Sequence, residues 1–479
     1  MSEQSLKGKT TKGFFWGTVE RFASQGIQFV FGILLARILS PDDYGLIAML
    51  MVFLAVAQVF IDSGFSTGLI RKEERKPEDF STCFYFNIVV GVVAYGILYQ
   101  IAPFVSAFYD KPILTPILRV VGINVIFSSF CIVQQAILTI KIDFKKQAQI
   151  SIITAVLSGI IGLYLAYKGF GVWALVVQQV IGGVLRCILL WFLSKWRPIA
   201  AFSMESFKYL FGFGSKMLVI FSVDAIYNNL YPIFIGKFFP ARDLGLYSRG
   251  SHYAELPSQT ITGILSRVTL PVLADIQNQT DRFSDIYRRF IATSGFIVFP
   301  VLMGLSAVAS PLILLTIGPQ WEDCIIYLQI ICFSVMWLPI HSLNLNVLIV
   351  KGRSDLFLRV EIIKKIISIS VLLITLNYGI LAMCLGRVLI TYICLFLNIF
   401  YVKQFINTGL LDQLKDLMPS FLLSSSMWGI LMTFNFFVSF SNASLLAINV
   451  IIGASYYLGL SYLLKLSELK EVKHILKRN

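Results

Sequence analysis

Residues 46–61 read Leu46-Ile47-Ala48-Met49-Leu50-Met51-Val52-Phe53-Leu54-Ala55-Val56-Ala57-Gln58-Val59-Phe60-Ile61. Gln58 is the one polar residue, and no charge appears before Asp62. A run this apolar has no polar face to turn toward water, and about 20 such residues cross a bilayer core. Working outward, comparable runs recur through the chain at 13–38, 81–106, 114–139, 149–167, 172–194, 212–236, 246–271, 289–315, 325–350, 359–377, 380–402, 420–438 and 444–464. With 46–69 they make about fourteen expected transmembrane helices. The expected fold class is an all-α polytopic membrane protein.

Composition excludes the alternatives. Apolar types make up 57% of the 479 residues and charged types 14%, against roughly 25% charged in soluble domains. A water-soluble fold has no way to hide that much apolar surface, and a disordered chain needs the opposite composition. Cofactor dehydrogenases, nucleases and secreted disulfide scaffolds are excluded. No connector is long enough for a soluble domain. The seven cysteines are odd in number, lie in or beside apolar runs, and show no metal spacing; they read as small buried hydrophobes. No cofactor or metal is expected. The apolar run after Lys12 is too long and too charged for a cleavable signal, so it is expected to remain as the first span.

Loop charge sets the expected orientation. With the N-terminus inside, the inner segments hold 27 Lys and Arg and the outer segments five. That bias places both termini in the cytoplasm. The net charge of +14 is then a topology signal with attraction to anionic lipid, and no nucleic-acid partner is implied.

An internal repeat appears at an offset of 200. The first span exits through Leu35-Ala36-Arg37-Ile38-Leu39-Ser40-Pro41-Asp42-Asp43-Tyr44-Gly45-Leu46. The seventh exits through Ile235-Gly236-Lys237-Phe238-Phe239-Pro240-Ala241-Arg242-Asp243-Leu244-Gly245-Leu246. Both leave on the outer side, so two parallel six-helix lobes around a central lumen are expected, at 1–194 and 195–402. Two additional helices and a basic cytoplasmic tail fill 403–479. Such repeats are typical of secondary transporters. Ser40-Pro41-Asp42-Asp43 reads as N-cap, first helical position and acidic first turn. A catalytic acidic pair is the competing reading, weakened by Arg242-Asp243 in the second copy.

Polar residues inside spans fall into stripes. Glu20, Ser24 and Gln28 share one face of the first span, with Arg21 and Gln25 on the adjoining strip. Asp224 and Asn228 occupy the equivalents of Ser24 and Gln28. In the eighth span Arg249, His252, Glu255, Gln259 and Arg267 fall within about 120°, interrupted by Pro257. Such stripes either line a wet cavity or glue helices together. Arg119, Arg186 and Arg387 read by default as snorkelling cations. Glu361 with Lys364 and Lys365 reads as a local pair. Asp62, one turn after Gln58, is a candidate cation or proton site. His341 and His474 lack ligand partners.

The basic stretch Ser5-Leu6-Lys7-Gly8-Lys9, the exit Leu34-Leu35-Ala36-Arg37 with Asp43-Tyr44-Gly45, Gly245-Leu246-Tyr247-Ser248-Arg249 before a Pro-containing helix, and Leu265-Ser266-Arg267-Val268-Thr269-Leu270-Pro271 together resemble the polysaccharide-export branch of the multidrug/oligosaccharidyl-lipid/polysaccharide (MOP) exporter superfamily. The resemblance covers nearly the whole chain. It implies a flippase of the bacterial inner membrane that moves polyisoprenyl-diphosphate-linked oligosaccharides from the cytoplasmic to the periplasmic leaflet for lipopolysaccharide, capsule or exopolysaccharide synthesis, and not an enzyme. Membrane lipids and the lipid-linked oligosaccharide would be its partners, with a polysaccharide polymerase and chain-length machinery downstream. A monomer is expected.

On that reading Arg21, Arg249 and Arg267 contact the diphosphate, because a guanidinium forks onto phosphate oxygens. Gln25, Gln28, Asn228 and Gln259 contact sugar. Glu20, Asp224, Glu255 and Asp62 balance charge or couple to ions. No GxxxxGK[ST] loop is present; Gly212-Phe213-Gly214-Ser215-Lys216 is only superficially similar. A multidrug cation antiporter of the same fold is the near alternative, and a membrane glycosyltransferase or polymerase the distant one. Arginines among the acids favour an anionic cargo, and short outer loops disfavour the enzyme.

The topology is testable by thiol labelling in a chain freed of its native cysteines. Lys168→Cys is expected to react with an impermeant maleimide on intact cells, and Lys145→Cys only after permeabilisation. The reverse pattern would invert the orientation.

Overall fold

The computed structural model describes residues 23–471 except 63, 73, 407 and 439. The described chain is helical almost throughout, and its contacts divide it into two compact units, Met1–Gly245 and Leu246–Asn479. The first unit holds α1 (Ala23–Ile38), α2 (Pro41–Asp62), α3 (Phe65–Arg71), α4 (Pro77–Tyr109), α5 (Leu114–Ser129), α6 (Ile132–Ile140), α7 (Phe144–Tyr167), α8 (Val172–Ser194), α9 (Met204–Asn228), α10 (Leu230–Phe238) and the first turn of α11 (Ala241–Asp275). The second holds the rest of α11, then α12 (Thr280–Ala307), α13 (Ala309–Thr316), α14 (Cys324–Val335), α15 (Leu338–Val350), α16 (Ser354–Leu376), α17 (Ile380–Val402), α18 (Leu410–Phe437) and α19 (Asn442–Leu463).

Every expected span falls on helix where the chain is described. Among the described residues, length and hydropathy alone qualify nine helical segments as membrane-crossing, or eleven when two bent pairs are counted. The chain is therefore a multi-pass membrane protein. The number fourteen is not reached by that criterion, for separable physical reasons. The first expected span begins outside the described residues, leaving the 16 residues of α1. The eighth (in α11) is helical but too rich in uncharged polar residues to reach that hydropathy, and the eleventh (in α16) is helical but carries too many charges. The fourth bends by 44° between α5 and α6, and the seventh by 47° within α9. The seventh also breaks at Asn229, between α9 and α10.

Helix starts follow the local chemistry read from sequence. Ser40 caps α2: its backbone N and Oγ donate to Asp43 Oδ2 at 3.0 and 2.8 Å, and its Oγ accepts from Asp43 N at 3.3 Å. The reciprocal bonds satisfy donors that the first turn would otherwise leave open. In its first copy the repeated turn is thus an N-terminal cap.

Within the first unit, small residues set the closest helix approaches. A Cβ at Gly45 would lie 1.8 Å from the carbonyl oxygen of Ala241, and a Cβ at Gly245 1.9 Å from that of Pro41. Residues 200 apart thus exchange contacts: each glycine of the repeat seats the first helical residue of the other copy. Gly159 of α7 accepts the Phe31 ring of α1, and Gly183 of α8 accepts Asn124 of α5. Close approach at small residues replaces the hydrophobic drive that lipid does not supply. α9 and α10 pack against α2 and α4. The contact boundary at 245 therefore lies beyond the repeat boundary at 194.

In the second unit α18 and α19 are built into the core. Tyr287 Oη of α12 donates to Asn344 Oδ1 of α15 at 2.8 Å, and Asn344 exchanges amide bonds with Gln413 of α18 at 3.3 and 3.4 Å. Arg288 forks onto both carboxylate oxygens of Asp416 at 2.8 and 2.7 Å. Tyr457 of α19 donates to the carbonyl of Phe296 at 2.9 Å. Tyr457 lies in a buried cluster of aromatic and aliphatic side chains with Phe296, Met427 and Leu431. All seven cysteines are free thiols, and six are buried.

Three substitutions test this packing by thermal unfolding of purified protein. Gly45→Ala should cost roughly 1–3 kcal/mol through overpacking. Gly96→Ala, where a Cβ would meet nothing within 4 Å, should be neutral or stabilising. Tyr287→Phe should cost about 1–2 kcal/mol by leaving Asn344 under-bonded.

Candidate functional site

In the second unit the polar residues converge on α11. Tyr247, Ser251, Glu255 and Gln259 recur every fourth residue and form one ridge. Arg387 of α17 closes on that ridge. Its Nη2 lies 2.7 Å from Glu255 Oε1, and its Nη1 lies 3.1 Å from Ser251 Oγ and 3.3 Å from Tyr247 Oη. Ser251 Oγ donates to the same carboxylate at 2.8 Å, and Gln259 Nε2 approaches its other oxygen at 3.4 Å. The pair is not sealed: the Arg387 and Glu255 side chains are 24% and 31% exposed. Charge-assisted bonds of this kind are about twice as strong as neutral ones.

This placement corrects the snorkelling reading of Arg387. The residue lies seven positions into α17, roughly 10 Å from its start at 1.5 Å per residue. That depth was the available signal in an otherwise apolar helix.

Arg249 and Arg267 are 18 residues apart on α11, five helical turns, and so share one angular position roughly 27 Å apart. The Arg249 guanidinium stands 5.8 Å from the centroid of the buried Trp321 ring. A cation over an indole face gains from the ring quadrupole, more so when desolvated. His252 is exposed and lies within electrostatic range of both Arg249 and Glu255. Arg267 is exposed and makes no hydrogen bond or ion pair with the described residues. Further along the unit, His341 Nδ1 pairs with Asn398 Nδ2 at 3.0 Å, and Lys364 pairs with Glu361 as the spacing suggested.

In the first unit Gln25 is half-buried and Gln28 exposed on α1, while Asp224 is half-buried and Asn228 exposed on α9. Glu20, Arg21 and His474 lie outside the described residues. Asp62, at the end of α2, accepts a hydrogen bond from Gln58 and feels the positive charge of Arg186. Arg186 of α8 in turn donates to Gln135 Oε1 of α6 at 2.5 Å. Arg186 therefore belongs to a polar cluster with α2 and α6 and is not simply a snorkelling cation; its i+51 partner was invisible to any local pattern.

The structure thus joins Glu255 directly to Gln259, aligns Arg249 with Arg267, and adds Arg387, which sequence reasoning missed. The one acid at this ridge, Glu255, is already matched by Arg387. The exposed polar groups are amides and guanidiniums, suited to hydroxyl-rich and phosphate-bearing ligands.

Comparison with known proteins agrees with this chemistry. The chain is 26% identical over 357 residues to the teichuronic acid biosynthesis protein TuaB of Bacillus subtilis, covering 74% of this chain and 73% of that one. It is 23% identical over 428 residues to the lipopolysaccharide biosynthesis protein WzxC of Escherichia coli, covering 88% and 86%. Its fold matches that of the lipid II flippase MurJ in an inward closed conformation, with a TM-score of 0.77, 15% identity, and coverage of 94% and 98%. A family model described as "Polysaccharide biosynthesis protein" matches residues 34–326, more than half of the chain, and the chain belongs to that family.

Proposed function

We propose that this protein is a flippase of a bacterial inner membrane. It moves polyisoprenyl-diphosphate-linked oligosaccharide repeat units from the cytoplasmic to the periplasmic leaflet, by alternating access, for the synthesis of a surface polysaccharide. The observation that carries the proposal is the ridge of α11. Arg249 and Arg267 share one angular position, with Gln259 about 80° around the same proline-interrupted helix, inside a fold shared with a lipid II flippase. The biosynthetic roles named for TuaB and WzxC support a glycan cargo.

The chemistry follows from the cargo. A diphosphate drawn through hydrocarbon alone would lose its hydration with no replacement. Guanidiniums supply charge-assisted bonds in its place. Amides such as Gln25, Gln28, Asn228 and Gln259 supply donors and acceptors for sugar hydroxyls. The lipid tail stays in the bilayer throughout. Both termini lie in the cytoplasm on the loop-charge bias. The protein acts as a transporter; the glycan leaves chemically unchanged. The cation antiporter reading is less favoured at this ridge, where the one acid, Glu255, is held by Arg387 at 2.7 Å.

The test is in cells. Arg249→Ala and Arg267→Ala are each expected to reach the membrane in normal amount and to cut surface polysaccharide roughly 10- to 100-fold, the equivalent of one or two lost hydrogen bonds to a charged group. Normal export by both variants would remove the arginines from the site and with them the basis for an anionic cargo.

A further inference from the structure

We propose that Arg387 is a third diphosphate-binding arginine, kept occupied between transport events by the carboxylate of Glu255. The proposal rests on the flippase reading and names a ligand group within it. Three observations carry it. The first is the shape of the contact. Arg387 spreads Nη1 and Nη2 over Tyr247 Oη, Ser251 Oγ and Glu255 Oε1, so its fork already holds an anion and two hydroxyls. A carboxylate and a phosphate offer a guanidinium similar two-oxygen edges. The two hydroxyls can donate to either.

The second is access. An ion pair that served only to join α11 to α17 would need no approach from outside. This one leaves Arg387 24% and Glu255 31% exposed, with Gln259 and His252 exposed beside it. An entering anion therefore has a way in.

The third is position. Along α11 the level of Glu255 falls six residues from Arg249 and twelve from Arg267, roughly 9 and 18 Å. Arg387 lies at a level between those of the two arginines, on the Tyr247–Ser251–Glu255 side of α11, about 120° or more around the helix from them. A diphosphate moving along α11 would meet a guanidinium at three levels, the middle one to the side of the other two. Glu255 makes the middle one tolerable at rest, since an uncompensated cation in the membrane is costly. When the diphosphate arrives it takes the fork and Glu255 turns toward Gln259; when it leaves, the ion pair re-forms. No bond is made or broken, and only the partner of Arg387 changes.

The experiment measures binding of inorganic pyrophosphate by calorimetry to the purified full-length chain in phosphatidylcholine nanodiscs. Removing the internal competitor with Glu255→Gln is expected to tighten binding at least tenfold over the unmodified protein. The double variant Glu255→Gln with Arg387→Gln should lose that gain. Glu255→Asp keeps the charge but shortens the reach, and should tighten binding severalfold even if the Gln variant does not fold. Equal affinity in the unmodified protein and the Glu255 variants would overturn the proposal. So would a gain that survives loss of Arg387. A gain seen for phosphatidylglycerol added to the nanodiscs, but not for pyrophosphate, would assign the site to a lipid headgroup and overturn the proposal as well. Because pyrophosphate binding needs no transport, these outcomes are independent of whether the protein flips a lipid-linked glycan.

Discussion

A charge inside hydrocarbon persists only with a partner, and that constraint orders both units. In the second unit it draws α17 onto α11 through Arg387 and Glu255, while Arg288 and Asp416, just outside the apolar runs, tie α18 to α12. In the first it gathers Asp62, Gln58, Arg186 and Gln135 from three elements. None of these groups would be retained for stability alone, since apolar replacements of buried pairs are often as good or better. Their cost is reasonable if the membrane protein must handle a polar, charged cargo. The arginine ridge of α11 gives that cost a purpose.

The repeat shapes the backbone as the charges shape the side chains. Gly45 and Gly245, 200 residues apart, each leave room for the carbonyl of the other copy's first helical residue. Two copies of one turn thus meet reciprocally, and any side chain beyond hydrogen at either glycine would push the helices apart. The same turn is closed by Ser40 and Asp43, so capping and close approach are satisfied by neighbouring residues.

Much of this was legible in the sequence because the signals were local. Apolar runs gave the spans, Ser40-Pro41-Asp42-Asp43 gave a helix start, and the shared face of Arg249, His252, Glu255, Gln259 and Arg267 gave the polar side of the eighth span. The quoted segments also carried the family resemblance. The missed features depend on contacts between distant residues. Arg387 pairs 132 positions away and Arg186 51 away, so neither partner follows from periodicity. Both arginines sat in apolar helices where snorkelling was the simpler reading. The bends in the fourth and seventh spans were also missed, because a hydropathy run does not show where a helix changes direction. The integration of α18 into the second unit depends on Tyr287, Asn344 and Gln413, three uncharged residues with no sequence pattern among them.

The central claim is that the protein translocates an intact lipid-linked glycan. Its most direct test is reconstitution into liposomes carrying a labelled polyisoprenyl-diphosphate oligosaccharide, with accessibility of the label followed on each leaflet. The account predicts protein-dependent exchange between leaflets with the glycan unchanged. A lengthened or transferred glycan without exchange would contradict it and make the protein an enzyme.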